Sequence, residues 1–478
     1  MKKIVFLNLV LLLCVLIIPS VEAQSKFKGE VKIGYSSSLI GGNRPQTLDV
    51  VNGAKIAVDE INAAGGILGR EVKFIFYDNQ GQVEKAVAQV KEQIVSDKID
   101  FAISPDSSDQ VMATLSAFQR YKMPAIISSS MADEVMDAGN PYYMRVVGPN
   151  SVCAIGMARA ITHGNFKRPS IIYVNSLLGT SLRKYMIKEV ERLGLKLVSE
   201  ANFELNTTDV STQVMKVLME KPDIMLLPAY GSDLSLIVRT ARGQGYKGAF
   251  VGFSAAGMNA TRESAGGIEL DGMVFPAGLH GQGFYMWDRP GAIPYLLNLE
   301  SKYKLPKFKL VNAPQELTIY CGYQHIYYYK KWIELGGERS FKDKDFFMDL
   351  VAKTTLQTVP CDLRFPYGRK NMTAVTVDDL YMRQYAKGHM RLWPFEPKCI
   401  ETFEATRCQA EEEVYGKIED AIQGVTYKQF LSRWQKLLQE NKAKVESELN
   451  EKLRKKIISD NYAKQFKKAF EEILSYNF

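Results

Sequence analysis

Three short turns carry the residues best able to hold a small polar molecule. They are Ser36–Ser37–Ser38, Pro105–Asp106–Ser107–Ser108 and Ser128–Ser129–Ser130. Each follows an apolar run that reads as a strand: Val31–Tyr35, Phe101–Ser104 and Ala125–Ile127. In open α/β sheets, ligands bind beyond the carboxyl ends of the strands, where helix N-termini present free N–H groups. A hydroxyl beside such a helix end suits a carboxylate. The same serines also serve as plain turn and N-cap residues, and the residues alone leave both roles open.

Other chemistry finds little support. There are four histidines, His163, His280, His325 and His389, and none stands at metal-ligand spacing from another His or a Cys. Neither a G-x-S-x-G elbow nor a P-loop occurs. No catalytic residue, metal ligand or cofactor site is therefore assigned, and the chain reads as a non-enzyme. The net charge of +8 over 478 residues is modest, and its basic residues are dispersed. No basic-aromatic run points to nucleic acid.

The N-terminus reads as a secretory signal. Lys2 and Lys3 precede the apolar run Phe6–Ile18, and Val21 and Ala23 are the small residues a signal peptidase reads. Cleavage is expected near Gln24, which places the mature chain in the periplasm. Leu13 before Cys14 is too bulky for a lipobox. With Cys14 removed, five of the six cysteines remain. Cys153 reads as a buried free thiol. Cys399 and Cys408 lie close together in a loop-like stretch and are candidates for a disulfide. The pairing of Cys321 and Cys361 is open.

Elements must position these turns. From Val31 to Phe253 short apolar runs alternate with helix-period segments. Helices are expected over 49–62, 84–95 and around 111–118, and strands over 72–77 and the runs named above. The rhythm restarts after Asn140–Pro141. Ser151 is expected to cap a helix to about Ile161. Strands follow at 171–174, 195–200, 224–228 and 250–253, with helices at 182–193, 210–218 and 233–242. The βαβα alternation predicts two doubly wound α/β units in series, each with a mainly parallel sheet. Met273–Gly281 reads as a connector. An aromatic helix over 320–335, a helix over 346–352 and a strand over 375–385 follow, with a turn at Lys387–Gly388. After Trp393 a proline-marked linker leads to two or three charged amphipathic helices between 411 and 477.

Several segments resemble a known family. "VKIGYSSSLIGG" and "NGAKIAVDEINAAGGILGREVKFIFYDNQ" are similar to the opening of type I periplasmic binding proteins of the leucine and branched-chain amino-acid group. "YMRVVGPNS", "DVSTQVMKVLMEKPDIMLLPAYGSD" and "YQHIYYYKKWIELGG" continue the resemblance, which covers about residues 30 to 393. It implies two lobes joined by three crossovers, near 146–147, 276–277 and 358–360, with a solute in the cleft. Lobe 1 would comprise 30–146 and 278–357, and lobe 2 147–277 and 358–393. A helical extension, 394–478, lies outside the family pattern. The implied role is the solute-binding component of an ABC-type importer, a monomer serving a membrane permease. Delivery to a membrane sensor is the alternative.

The resemblance also implies site residues. Ser107, Ser108, Ser129 and Ser130 fall on or beside carboxylate-binding positions, and Tyr230 on that of a cleft tyrosine. Such an aromatic can cover an apolar group while its hydroxyl bonds a polar one. The pattern is broken at Ser254, within "VGFSAAG", where amino-acid binders carry an acid for the ligand ammonium. Either the ligand, a small carboxylate-bearing metabolite, lacks an α-ammonium, or another acid compensates. Asp106 and Asp233 are the nearest candidates.

Overall fold

The computed structural model describes residues 27–40, 44–205, 207–257, 261, 270–277, 291, 317–356, 363–374, 380–386, 389–392, 395–396, 398–415 and 427–477. The expected signal segment, the Lys387–Gly388 turn and Cys361 lie outside them.

The first sheet contains β1 (Glu30–Ser37), β2 (Glu71–Asp78), β3 (Phe101–Ile103), β4 (Ala125–Ile127) and β5 (Tyr143–Arg145). Its order is β2-β1-β3-β4-β5, with every neighbouring pair parallel. Helices α1 (Arg44–Ala63), α2 (Val83–Val95), α3 (Ser108–Arg120) and α4 (Asp133–Asp137) make the connections. Each residue of β3, β4 and β5 is buried. Parallel strands covered on both faces tolerate few polar side chains, which is why β3 and β4 are continuously apolar; β5 ends on the buried Arg145, which donates to the Ala132 carbonyl at 3.0 Å.

The second sheet contains β6 (Pro169–Val174), β7 (Ser199–Phe203), β8 (Ile224–Leu227), β9 (Ala249–Gly252), β10 (Val274–Ala277), β11 (Tyr381–Ala386) and β12 (His389–Leu392). Its order is β12-β11-β10-β9-β8-β6-β7. Strands β6 to β10 run parallel, and β11 and β12 add an antiparallel hairpin. Its helices are α5 (Asn150–His163), α6 (Leu177–Arg192), α7 (Ser211–Met219) and α8 (Gly231–Gly243). The parallel part repeats the order of the first sheet. Each lobe thus reverses strand order once, between β1 and β3 and between β6 and β8. A doubly wound sheet opens its crevice at such a reversal.

The chain then returns to the first lobe. Helix α9 (Leu317–Gly336) lies along α1. The approach is so close that a Cβ on Gly322 would come within 1.9 Å of the Val50 carbonyl oxygen. Trp332, Ile333 and His325 of α9 are fully buried. Two shorter helices, α10 (Arg339–Lys342) and α11 (Lys344–Lys353), follow.

Several expectations are corrected. Ser151 does not cap α5; Pro149 precedes the helix, and the Ser151 hydroxyl donates to Asp133 at 2.6 Å. The strand expected at 195–200 forms at Ser199–Phe203, because its pairing starts at Ser170–Ser199. Residues 274–277 are a strand rather than a connector, since β11 pairs with them along their length. Residues 363–374 remain on the first lobe: Phe365 lies 6.3 Å from Trp332, and Arg369 pairs with Asp349 at 3.3 Å. The third passage between lobes therefore falls between Ala374 and Tyr381, after the position expected for it. There Arg145 bridges Thr373 in parallel, so the first and third passages run side by side.

Among the described residues the C-terminal extension holds α12 (Glu401–Tyr415), which starts ahead of the stretch expected to be helical, and within that stretch α13 (Tyr427–Glu440), α14 (Lys442–Arg454) and α15 (Asp460–Ser475). Phe403, Trp434, Leu438, Phe466 and Phe470 are buried among them. Helix α12 packs on β12, the outer strand of the second sheet. Glu396 fixes the approach by accepting the Met382 N–H at 3.0 Å. Cys399 and Cys408 form no disulfide. The sequence-based disulfide fails because Cys408 lies on α12, about two turns beyond Cys399. At 1.5 Å rise per residue that separation exceeds disulfide reach.

Candidate functional site

The turns after β1, β3 and β4 converge on one carboxylate. Asp106 is 5% exposed. Its Oδ2 accepts hydroxyl bonds from Ser37 (2.6 Å), Tyr35 (2.7 Å) and Thr47 (2.9 Å). Its Oδ1 accepts from Ser129 at 2.9 Å, with Ser128 at 3.5 Å. No lysine or arginine pairs with Asp106 among the described residues. Neutral hydroxyls supply what a cation usually does for a buried carboxylate. The charge of Asp106, after burial, holds the Tyr35 hydroxyl proton well above its usual pKa.

The strand edges explain this convergence. Tyr35 and Ser37 both lie on β1, two residues apart, so both point to one face. Asp106 leaves the end of β3, which neighbours both β1 and β4. Behind the cradle, Asn79 and Gln110 exchange amide bonds at 3.2 and 3.3 Å, and Asn79 donates to Ser36.

The expected site residues fall around this centre in different roles. Ser107 is the N-cap of α3, its hydroxyl accepting the Gln110 N–H at 3.3 Å. Ser108 is buried and accepts the Ser130 hydroxyl at 2.9 Å. Ser129 is turned onto Asp106. Ser254 is buried and opens a 3-10 turn, Ser254–Gly257, where it donates to the Met131 sulfur at 3.5 Å. It thus abuts the residue after Ser130, and its hydroxyl meets no charged group among the described residues.

Tyr230, half-buried just before α8, reaches this region from the second lobe. Burial pushes its hydroxyl pKa up, and the charges of Asp109, Asp233 and Asp106 push it further. Its hydroxyl also contacts Ser176, the N-cap of α6. Asp233, in the first turn of α8, is 7% exposed, and its Oδ2 has no hydrogen-bond partner among the described residues. Burial lifts its carboxyl to about 6.

Sequence reasoning missed Asp109, Thr47, Tyr35 and Ser176. Asp109, on α3, accepts the backbone N–H of Leu177 at 3.2 Å, capping α6 from the opposite lobe. Lys184 of α6 and Glu134 of α4 pair nearby at 3.0 Å. The lobes are therefore in contact across the crevice. The serine turns and Asp106 were legible in advance as strand-end hydroxyls and a nearby acid; these four residues carried no such local signal.

Among the described residues no group of His, Cys, Asp and Glu side chains could hold a metal ion. No described helix is long and apolar enough to cross a membrane. A separate pocket on the second lobe, lined by Tyr173, Glu200, Asn202 and Lys216, contains none of these cleft residues. Glu200 there is already bound to Arg183 at 2.6 Å.

Two lobes of identical parallel order, meeting at their reversal points, define a cleft-type solute-binding fold. Residues 30–304 match the family described as periplasmic binding protein, and the chain belongs to it. Membership implies an extracytoplasmic location. Among curated relatives, the chain is 26% identical over 319 residues to Leu/Ile/Val-binding protein homolog 8 of Brucella abortus, covering 64% of this chain and 75% of that one. Its structure resembles the branched-chain amino acid transporter substrate binding protein LivJ of Streptococcus pneumoniae, solved with isoleucine. The TM-score is 0.65 at 20% identity, over 76% of this chain and 97% of that one. A periplasmic binding protein type 1 of Bordetella pertussis gives 0.67 at 20% identity, over 77% and 100%. These relatives are solute-binding proteins.

Proposed function

We propose that this chain, exported by a signal that ends near Ala23, is the solute-binding component of an ABC-type importer. It captures a small organic solute of the amino-acid class between its lobes and presents the closed form to a membrane permease. The lobe division proposed is 30–146 with the return segment through Ala374, against 147–277 with β11 and β12. The Asp109–Leu177 contact carries the reading. It joins helix ends at the two sheet reversals, and it exists only while the lobes are together. Three chain passages between lobes allow rigid-body rotation with few backbone changes. A ligand touching both lobes favours closure by its differential affinity. The names of the relatives, binding proteins for leucine, isoleucine and valine, support the ligand class.

Melting of the mature protein against amino acids, amines and keto acids tests this. A ligand at a hundred times its Kd adds about 2.7 kcal/mol of stability. Scattering on the same sample should show a smaller radius of gyration. Tight binding with an unchanged radius overturns the closure mechanism. Delivery to a membrane receptor is the second reading, favoured by structural neighbours described as extracellular ligand-binding receptors. Transport of the bound compound by cells carrying the permease separates the two.

A further inference from the structure

Of the hydroxyls that sequence offered to a ligand carboxylate, those of Ser37, Ser129 and Ser130 are already committed as donors. Each hydroxyl owns one proton and two lone pairs. Tyr35, Ser37, Thr47 and Ser129 spend that proton on Asp106. What they still offer is lone pairs. The cradle is therefore a surface of acceptors, charged negatively at its centre. A ligand carboxylate meets repulsion there, whereas a group rich in N–H donors meets complementary partners.

Three further observations point the same way. Asp109 fills the N-terminus of α6, the other place where an anion would dock. The side chain that reaches over from the second lobe is Tyr230, whose hydroxyl lies within the field of Asp109, Asp233 and Asp106. An aromatic ring beside carboxylates attracts a cation through its π face as well. Asp233 adds a buried oxygen with no partner among the described residues. None of the three carboxylates pairs with a lysine or arginine among the described residues.

We propose that the cleft holds an ammonium group of its ligand from the first lobe, against Asp106 and the hydroxyl oxygens turned onto it. This rests on the solute-binding reading and sharpens it. The acid missing at Ser254 is replaced from the opposite side of the cleft, so the ligand is recognised in reversed polarity. An organic ammonium suffices for recognition, and a carboxylate alone does not. Ser108, whose oxygen accepts from Ser130, keeps its own proton for a further ligand acceptor.

Calorimetry on the mature protein with three probes of one shape tests this: leucine, 3-methylbutylamine and 4-methylpentanoate. They carry both charges, the ammonium only and the carboxylate only. Leucine and the amine should bind, and the acid should bind at least ~100-fold more weakly than the amine, as expected when a buried charge meets no partner. Asp106→Asn keeps the shape and should weaken the amine by a similar factor. Its fold is verified by an unchanged circular dichroism spectrum; the wild-type preference between amine and acid stands even if the variant fails to fold. Binding of the acid as tight as the amine overturns this proposal and leaves the solute-binding reading intact. Amine binding unaffected by a folded Asp106→Asn does the same. No heat from any probe, with the radius of gyration unchanged by a cell metabolite extract, counts against both.

Discussion

The Asp109 carboxylate on α3 accepts the Leu177 N–H on α6 at 3.2 Å, so a side chain of one lobe caps a helix of the other. Such a cap contributes about 0.5–2 kcal/mol. Here that free energy belongs to the closed form alone. Asp109→Ala should open the unliganded protein, raising its radius of gyration, and weaken ligand several-fold through the added cost of closure. Stability of each lobe should hold. An unchanged radius in the variant, measured by small-angle scattering, removes Asp109 from the closure equilibrium.

Tyr35→Phe tests the hydroxyl cradle. The ring would keep its packing against Phe76, at 5.6 Å between centroids. Asp106 would lose one of its donors. A hydrogen bond to a buried charge contributes about 1.5–3 kcal/mol. The midpoint of urea unfolding should fall accordingly, with the slope unchanged.

Asp233 should make stability depend on pH. Its carboxyl rises from 3.8 to about 6 through burial. Between about pH 4 and 6 the folded protein keeps a proton that the unfolded chain has released. Stability from this group is therefore full below about pH 4 and is lost as pH rises through 6. Asp233→Asn, which cannot ionise, should leave stability at pH 4 unchanged and raise it at pH 7.5 by on the order of 2 kcal/mol. Denaturant titrations at both pH values check the sign.

Arg407→Met probes the attachment of the extension. Arg407 is fully buried between Glu404, at 2.6 Å, and Glu411 on the same helix. Burial, working against the charges of Arg407 and of Arg383 on β11, pushes the Glu411 carboxyl up to about 7. Removing the arginine takes away the charge that these two buried acids share, which costs about 3–5 kcal/mol. Limited proteolysis should then cut within 399–477 before the lobes are touched. Equal resistance of the variant and the wild type removes Arg407 from the attachment.

The sequence by itself determined the class of fold. Apolar runs such as Phe101–Ile103 and Ile224–Leu227 can be satisfied only inside a covered parallel sheet, and the helical periods between them fix the alternation. It also located the turns that converge on Asp106, because strand ends and small hydroxyls are local signals. Tertiary structure decided the rest. Ser107, Ser108, Ser129 and Ser130 read alike as hydroxyls, yet one caps a helix, one receives its neighbour's proton and one solvates Asp106. A hydroxyl can donate or accept, and only the partner brought to it by strand order sets which. Asp106 and Thr47 are 59 residues apart, and Asp109 and Leu177 are 68 apart. No local pattern records such pairs. The strand β10 and the separation of Cys399 from Cys408 belong to the same category. Each depends on what lies alongside in space, and periodicity along the chain carries no information about that.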